Sequence, residues 1–310
     1  MSSIQPNTFK ERFFHWTSEK TTRFTIIFIV LILSVWIIGS IITDELLTTP
    51  KNASHTTQLT NELVNQIIAY ATPIVLMLIL LLALGIFKRS GLTFKNLWKA
   101  LWRLSFELVV ALFVFILSLT VMHNYLNPDA FKNHSGDLTK LIMLNAAAFL
   151  CTGLFEEILY RGFVMNGLLS HWGNSRKGVI KAVVISAVLF GVLHMINLMG
   201  WIDQPDGKNF VTEALIPVIF QSFMAFTFGI YFGLVYLKTN NLLACIFMHA
   251  IFDFLLAVME LFENTNAPST YALLLPAIIL VFEAVGELGL SYFIFKKTDW
   301  SQITVAFQIN

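Results

Sequence analysis

Three short stretches of the chain place ionisable side chains within otherwise apolar sequence. Glu156 and Glu157 follow one apolar run, His194 ends a second, and His249 and Asp253 lie in a third. A charge at the centre of a membrane-spanning helix costs about 2.5–3.5 kcal/mol on insertion scales, so such groups are paired, protonated or in contact with water. Carboxylates and imidazoles are also common general acids and bases, which makes these residues candidates for a hydrolytic site.

The two adjacent glutamates are predicted to have different roles, because neighbouring helical residues point about 100° apart. Glu157 precedes Arg161 by four residues, the favourable order for an ion pair along a helix. That pair would neutralise both side chains and have a structural role. Glu156 has no such local partner, so it is the carboxylate predicted to face a cavity as a general base or acid.

The two histidines are predicted to reach the same level in the membrane as Glu156. His249 and Asp253 are four residues apart and share one face of their helix. Counting residues from the short turns between the runs, at about 1.5 Å per residue, places His194 within a few ångströms of the depth of Glu156. Each group also has a simpler interpretation: His194 as an interhelical hydrogen-bonding residue, and His249 with Asp253 as a self-contained pair.

The composition indicates a polytopic membrane protein. Of the 310 residues, 56% are hydrophobic and only 13% are charged, against about 25% charged in soluble domains. The formal net charge of +1 gives no indication of nucleic-acid binding. Cys151 and Cys245 lie inside apolar runs without metal-type spacing and are interpreted as small packing residues.

Eight apolar runs are long enough to cross about 30 Å of hydrocarbon as α-helices. The predicted fold is therefore an all-α polytopic membrane bundle of about eight transmembrane helices. Continuous apolar runs also exclude a barrel, whose strands would alternate in polarity. The predicted spans are Phe24–Thr43, Val64–Phe87, Leu97–Met122, Leu141–Ser170, Val179–Gly200, Ala214–Leu237, Leu242–Leu261 and Tyr271–Phe295.

The loop charges predict that both termini lie in the cytoplasm. All but four of the twenty Lys and Arg residues fall on one side of an eight-span arrangement, the exceptions being Lys51, Lys132, Lys140 and Lys208. Basic residues are retained on the cytoplasmic face. The expected location is the cytoplasmic membrane. The chain is divided into 1–140, a cytoplasmic segment with three spans; 141–262, a catalytic core; and 263–310, the last span with a cytoplasmic tail.

The polar stretches also form recognisable motifs: Glu156-Glu157-x-x-x-Arg161, Phe190-x-x-x-His194 and His249-x-x-x-Asp253. Over about residues 141–261 the chain resembles the CPBP family, which comprises CAAX prenyl endopeptidases and bacteriocin-processing proteins and is also called the Abi family. This resemblance implies an intramembrane protease. It further implies that Glu156 and His194 activate a water, while His249 and Asp253 stabilise the oxyanion.

Two features of the implied site remain open in the sequence. Family members often have Asn where this chain has Asp253, and an ionised Asp253 could not donate to an oxyanion; it would have to be protonated or orient His249. Metal dependence is the second. Glu156, His194 and His249 are also a possible zinc ligand set with water at the fourth position. We expect hydrolysis without a cofactor, with Zn²⁺ as the alternative.

The expected partners are a peptide or protein substrate at the membrane and the lipid bilayer, with no nucleic acid. The substrate could be prenylated or of the bacteriocin type. A non-proteolytic immunity or scaffold protein that binds a peptide is the alternative function. Three further acids in apolar sequence, Glu107, Glu283 and Glu287, lie outside the motifs. Glu283 and Glu287 are four residues apart and could form a cation or proton site, which keeps a transporter as a third hypothesis, although no inverted repeat of the kind transporters show is found.

Overall fold

The structure is a computed structural model that describes residues 21–47, 49, 53–83, 87, 90–123, 137–201, 210–258 and 269–300. Throughout these ranges the regular elements are helical and no strand occurs, which confirms the all-α fold class. The α-helices are α1 Thr21–Leu46, α2 His55–Ala83, α3 Leu97–Arg103, α4 Ser105–His123, α5 Leu138–Glu157, α6 Asn166–Trp172, α7 Arg176–Leu193, α8 Ile216–Thr239, α9 Leu242–Ala257 and α10 Ser269–Lys296. Two π-helical segments, Ile158–Met165 and Val211–Leu215, and a 3-10 segment, His194–Trp201, complete the described elements.

The helices fall into two compact units, which we describe separately. The first unit consists of the described residues within 1–167 and 240–267. In it, α9 packs against α5 and α4, and α2 lies between α1 and α5. Leu63, Leu141, Ala148 and Val258 form a buried apolar cluster from α2, α5 and the end of α9. This packing holds α5 and α9 side by side.

The second unit consists of the described residues within 168–239 and 268–310. Its central element is α8, which packs against α7, α10 and the 3-10 segment. The second half of α8 is buried on nearly all sides, including Tyr231, Phe232 and Tyr236. At the end of α10, the Arg176 guanidinium lies 4.8 Å from the centre of the Phe295 ring. Large aromatic side chains therefore fill much of this unit.

The predicted count of eight spans is not confirmed by the described residues. Five helices are long and apolar enough to cross a membrane, and six if the bent pair α3 and α4 forms one span. The five are Ile27–Leu46, Thr56–Ala83, Leu138–Trp172, Arg176–Met199 and Ile216–Thr239. The predicted eighth span falls within α10, whose side chains are described only from residue 281 onward.

Two of the predicted spans do not correspond to a single long helix in the structure. The span predicted over residues 97–122 is broken at Leu104, where the axes of α3 and α4 differ by 54°. Trp98 and Trp102 on α3 are exposed, as is typical of aromatic residues at a membrane interface. The span predicted over residues 242–261 contains α9, which ends at Ala257 after 16 residues. That is shorter than the roughly 20 residues a straight span needs.

The helix that carries the glutamates is much longer than one crossing. From Leu138 to Trp172 it covers 35 residues, which is about 50 Å at 1.5 Å per residue. The sequence interpretation of both termini as cytoplasmic concerns residues 1–20 and 301–310, which lie outside the described residues. The side on which the termini lie therefore remains a prediction.

Candidate active site

Glu156 and Glu157 are the last two residues of α5, at the point where the helix changes its hydrogen-bonding pattern. The next eight residues, Ile158–Met165, form a π-helix, and all eight are buried. Segments of π-helix are rare and occur frequently at functional sites. The change of geometry directly follows the two glutamates, so it sets the direction of the chain that carries Arg161.

Glu157 links two positively charged or ionisable partners through one carboxylate oxygen. Its Oε1 forms an ion pair with Arg161 Nη1 at 2.9 Å and lies 2.9 Å from His249 Nδ1. The Glu157 side chain is 0% exposed, and those of Arg161 and His249 are also buried. The ion pair predicted between Glu157 and Arg161 is therefore present, and His249 joins it from α9.

The contact with Glu157 determines which nitrogen of His249 faces the rest of the site. Nδ1 must carry a hydrogen to donate to the carboxylate, which leaves Nε2 on the opposite edge of the ring. Nε2 lies 3.3 Å from Asp253 Oδ2 and 3.6 Å from Glu156 Oε2. When these carboxylates are ionised, a hydrogen on Nε2 makes both approaches favourable, so the ring is a cationic donor.

The more accessible side of this cluster is formed by the two carboxylates around Nε2. The Asp253 side chain is 24% exposed and that of Glu156 is 13% exposed, whereas Glu157 is fully buried. A small molecule or a peptide carbonyl would therefore reach Glu156, Asp253 and His249 Nε2 before it reached the buried ion pair. This arrangement can supply a base and a hydrogen-bond donor on one side of a bound group.

Gly153 allows α5 and α9 to approach closely enough for these contacts. A β-carbon at this position would lie 2.9 Å from the carbonyl oxygen of Ile246 and 3.2 Å from the backbone nitrogen of Ala250. Gly153 is one turn before Glu157, and residues 246 and 250 bracket His249. Only a residue without a side chain fits between the two backbones, so Gly153 determines the distance from Glu157 to His249.

A turn before α3 fixes the start of α9. Gly91 has a φ of 78°, and its carbonyl accepts a hydrogen bond from the Leu242 backbone at 2.8 Å. The buried Asn241 side chain donates to the carbonyls of Thr93 and Lys95 at 2.8 and 2.7 Å. Its Oδ1 accepts from the Ala244 backbone and caps the helix. Asn241 therefore connects the helix that carries His249 to the turn at residues 91–95.

The sequence interpretation missed Gly153, Gly91 and Asn241 as residues that support the site. An Asn directly before an apolar run is a recognised start signal for a helix, and it could have indicated Asn241. Nothing in the local sequence indicates which turn the Asn241 amide would bind. Gly153 likewise has no signal of its own, because its importance depends on a helix about 90 residues later.

His194 belongs to the second unit. It is the first residue of the 3-10 segment that follows α7, and its Nδ1 lies 2.8 Å from the Phe190 carbonyl oxygen. The Phe190 ring packs edge-on against the imidazole, with ring centres 4.8 Å apart. In the neutral ring Nδ1 carries the hydrogen, so Nε2 has the lone pair. The predicted meeting of His194 with Glu156 stays a prediction.

The three other acids found in apolar sequence, Glu107, Glu283 and Glu287, are buried as well. Glu107 lies in the first turn of α4 in the first unit. Glu283 and Glu287 lie on α10 in the second unit, where the Thr227 hydroxyl donates a hydrogen bond to Glu287. Among the cysteines, Cys245 is buried and Cys151 is half-buried, and neither forms a disulfide.

Residues 138–255 match the family model described as type II CAAX prenyl endopeptidase Rce1-like. This segment is therefore similar to Rce1-like CAAX endopeptidases. The match confirms the resemblance to CAAX proteases inferred from the three motifs, and the Rce1-like segment contains Glu156, Glu157, Arg161, His194, His249 and Asp253. It covers less than half of the chain. No curated protein and no solved structure matches the chain.

The Rce1-like domain and the apolar helices together support a multi-pass membrane protein with intramembrane endopeptidase activity. Five of the described helices are long and apolar enough to cross a lipid bilayer.

Proposed function

We propose that the protein is an endopeptidase that hydrolyses one peptide bond of a membrane-associated peptide, either prenylated or of the bacteriocin type. The observation that carries this proposal is the contact of His249 with three carboxylates. Glu157 holds Nδ1 on the buried side, and Glu156 and Asp253 lie beside Nε2 on the more accessible side. A general base and a donor to an oxyanion are thereby placed side by side.

Glu156, assisted by His194, takes a proton from a water molecule in the first step. The water oxygen bonds to the peptide carbonyl carbon, and the carbonyl oxygen becomes an oxyanion. Glu156 then gives its proton to the peptide nitrogen as the carbon–nitrogen bond breaks, which releases a carboxylic acid and an amine. Nδ1 of His194 donates to the Phe190 carbonyl, so its Nε2 lone pair is available to bind the water.

His249 supplies the stabilising donor in this mechanism. Its Nε2–H lies beside Asp253 at 3.3 Å, where a developing oxyanion can share it. Asp253 is thus assigned the orienting role, because an ionised carboxylate holds the imidazolium and does not donate. Glu157 and Arg161 have a structural role, since they fix the opposite edge of the same ring from the buried side.

A metal-free reaction is the version we favour. The donor chemistry would also fit zinc, because a histidine that binds metal usually donates its other nitrogen to a carboxylate, as Nδ1 of His249 does to Glu157. Glu156, His194 and His249 would hold the ion. When bound, it would polarise the carbonyl and acidify water. The roles of Glu157 and Arg161 would be the same in either case.

The proposal is tested with the purified protein in lipid nanodiscs and two peptide probes. One probe is a peptide with a farnesylated C-terminal CAAX tail, and the other is an unprenylated apolar leader peptide. New termini are identified by mass spectrometry. We expect one probe to be cut by the wild-type protein, and Glu156→Gln to reduce cleavage at least 1,000-fold, as removal of an essential base does. Glu45→Gln, at an exposed position near the end of α1, is the matched control.

Three outcomes would overturn this proposal. Undiminished cleavage by Glu156→Gln would remove the assigned base. Binding of a probe without cleavage, equal in wild type and Glu156→Gln, would instead support the immunity or scaffold function. Substrate-dependent flux into sealed vesicles would support a transporter.

The proposed setting is the cytoplasmic membrane, with both termini in the cytoplasm. The bias of Lys and Arg to one side of the loops supports this orientation. Reporter fusions at the two ends, each active on only one side of the membrane, test it. Opposite activities at the two ends would contradict an even number of crossings.

A further inference from the structure

The short helix α3, Leu97–Arg103, presents three faces with different surroundings. Successive residues of an α-helix point about 100° apart, so residues four positions apart share a face. Ala100 and the residue that ends the helix, Leu104, are fully buried and form the face that packs on the protein. The other two faces are open to the surroundings, and they carry different side chains.

The first open face of α3 is aromatic. Trp98 and Trp102 are four residues apart, and their side chains are 81% and 75% exposed. Phe94, in the turn before the helix, is also exposed, and the three residues are called the aromatic face. Exposed tryptophans of membrane proteins are typical of the headgroup level. The axes of α3 and α4 differ by 54°, so the two helices cannot both run along the membrane normal.

The second open face of α3 is basic. Lys99 and Arg103 lie about 100° further round the helix than the two tryptophans, and Lys95 lies in the turn before it. These three residues are called the basic face. Both lysines are exposed, and Arg103 Nη1 donates to the Lys99 carbonyl at 3.2 Å, which holds the guanidinium on this side. The sequence has no acidic residue between Glu62 and Glu107, so neighbours along the chain do not compensate this charge.

The pairing of these two faces indicates which molecule fits them. A partner must offer negative charge to the basic face and hydrocarbon to the aromatic face beside it. Anionic phospholipids have both, because the phosphate of the head group is joined to acyl chains. The loop charges also predict this stretch on the cytoplasmic side, where basic segments next to a membrane attract anionic lipids.

The turn that carries the basic face also holds the start of α9. The Asn241 side chain donates to the carbonyls of Thr93 and Lys95 at 2.8 and 2.7 Å, and the first backbone amide of α9 donates to the same turn. From there α9 continues without a break to His249, about 10 Å further along its axis. A contact that fixes the turn therefore also fixes the start of the helix that carries this histidine.

We propose that the basic face of α3 binds anionic phospholipid head groups, with the aromatic face against the acyl chains, and that this contact stabilises the start of α9 through Asn241. The inference goes beyond the proposed function, since it assigns a lipid site and a link from that site to α9. It involves no bond making or breaking.

The first test measures which lipid lies next to α3. The full chain is placed in nanodiscs of mixed phosphatidylcholine and phosphatidylglycerol, with one lipid at a time brominated to quench tryptophan fluorescence. The signal of α3 is the difference between each protein and its Trp98→Phe/Trp102→Phe counterpart. Phosphatidylglycerol should associate with α3 at least about fivefold more strongly than phosphatidylcholine, because each Lys near an anionic surface contributes about that factor.

Lys95→Gln/Lys99→Gln should bring this preference to within about twofold of unity, since it removes both exposed charges. Lys177→Gln, at an exposed lysine of α7, is the matched control and should keep the wild-type preference. Salt tests the unmodified protein in the same way. At about 1 M salt the Debye length is only about 3 Å, so the preference should disappear. Equal quenching by the two lipids in the wild type, or a preference that survives the charge removal or the salt, would overturn the proposal.

The second test measures the link to α9 by hydrogen exchange of the amides at the start of that helix. They should exchange at least about twofold more slowly with phosphatidylglycerol present than in phosphatidylcholine alone. Asn241→Asp should keep the quenching preference but lose this difference, because it lacks the donors to the turn. Equal exchange of the wild type in both lipids would contradict the link. Neither measurement needs cleavage, so a failure of the endopeptidase proposal is distinguished from a failure of this one.

Discussion

Oε1 of Glu157 lies 2.9 Å from Nδ1 of His249, although 92 positions separate the two residues in the sequence. The same oxygen forms an ion pair with Arg161. A carboxylate with two such partners is neutralised without water, and its orientation is fixed from two helices. The proposed reaction centre therefore rests on a buried ion pair that itself remains away from the substrate.

Replacement of Glu157 should destabilise the protein more than replacement of an exposed glutamate. Glu157→Ala leaves Arg161 and His249 buried without their shared acceptor, and breaking a buried pair in this way costs about 3–5 kcal/mol. Denaturant unfolding in mixed micelles measures the change. Glu45→Ala, at an exposed position, should stay within about 0.5 kcal/mol of wild type. Equal stability of the two variants would contradict the structural role of Glu157.

Loss of the imidazole at residue 249 should act mainly on kcat. His249→Asn removes the donor next to Glu156 and Asp253, and removal of one oxyanion donor typically lowers kcat about 100- to 1,000-fold. The KM for the peptide should change little, because the oxyanion exists only after attack. Steady-state kinetics of the cleaved probe give both values. His171→Asn, at an exposed histidine, is the control and should match wild type. A change confined to KM would assign His249 to binding.

A methyl group at residue 153 should separate the two helices of the site. In Gly153→Ala the added carbon would lie 2.9 Å from the Ile246 carbonyl oxygen, so the backbones must move apart. We expect a loss of about 1–3 kcal/mol in unfolding free energy, as overpacked cores show, together with reduced cleavage. Gly289→Ala is the matched control, because a β-carbon there meets nothing within 4 Å. Similar effects of the two substitutions would show that the close contact of α5 with α9 does not control stability or cleavage.

The two functions of the Asn241 side chain can be separated by substitution. Asn241→Asp keeps an oxygen that caps α9 but loses the two hydrogen bonds to Thr93 and Lys95. Asn241→Ala loses all three, and the cap alone contributes about 1 kcal/mol. We expect both variants to cleave more slowly, with Asn241→Ala also unfolding at a lower temperature. Wild-type activity of Asn241→Asp would mean that docking of the turn does not control the position of α9.

Removal of metal should leave the activity unchanged. The favoured mechanism uses only side chains and water, so dialysis against a chelator is expected to have no effect on the cleavage rate. Elemental analysis of the purified protein should find well below one zinc per chain. The decisive contrary result is stoichiometric zinc whose removal abolishes cleavage and whose return restores it. The site would then be assigned to Glu156, His194 and His249 as ligands.

The local relationships of the site could be predicted from the sequence. Glu157 with Arg161, and His249 with Asp253, are each four residues apart, and helical periodicity alone places such pairs on one face. Both contacts are present in the structure. The approach of His249 to Glu157 could not be predicted in the same way. It depends on how α5 packs against α9. The absence of a side chain at Gly153 allows the two backbones to come close enough for His249 to contact Glu157.

Hydropathy predicted where apolar helices occur but not where their hydrogen bonding changes. The break at Leu104 and the π-helix after Glu157 both occur within continuous apolar sequence. Such positions depend on tertiary packing, which a count of apolar residues does not contain.

The two partners of Glu157 become available at different times during biosynthesis. A ribosome completes Arg161 four residues after Glu157, so a nascent helix can enter the bilayer with its charges already compensated. The imidazole that joins them is translated much later, with the segment that begins at Leu242. Until that segment has been inserted, the growing chain holds the ion pair of Glu157 and Arg161 without the imidazole of His249, so the proposed hydrolytic centre is complete only after α9 has been translated.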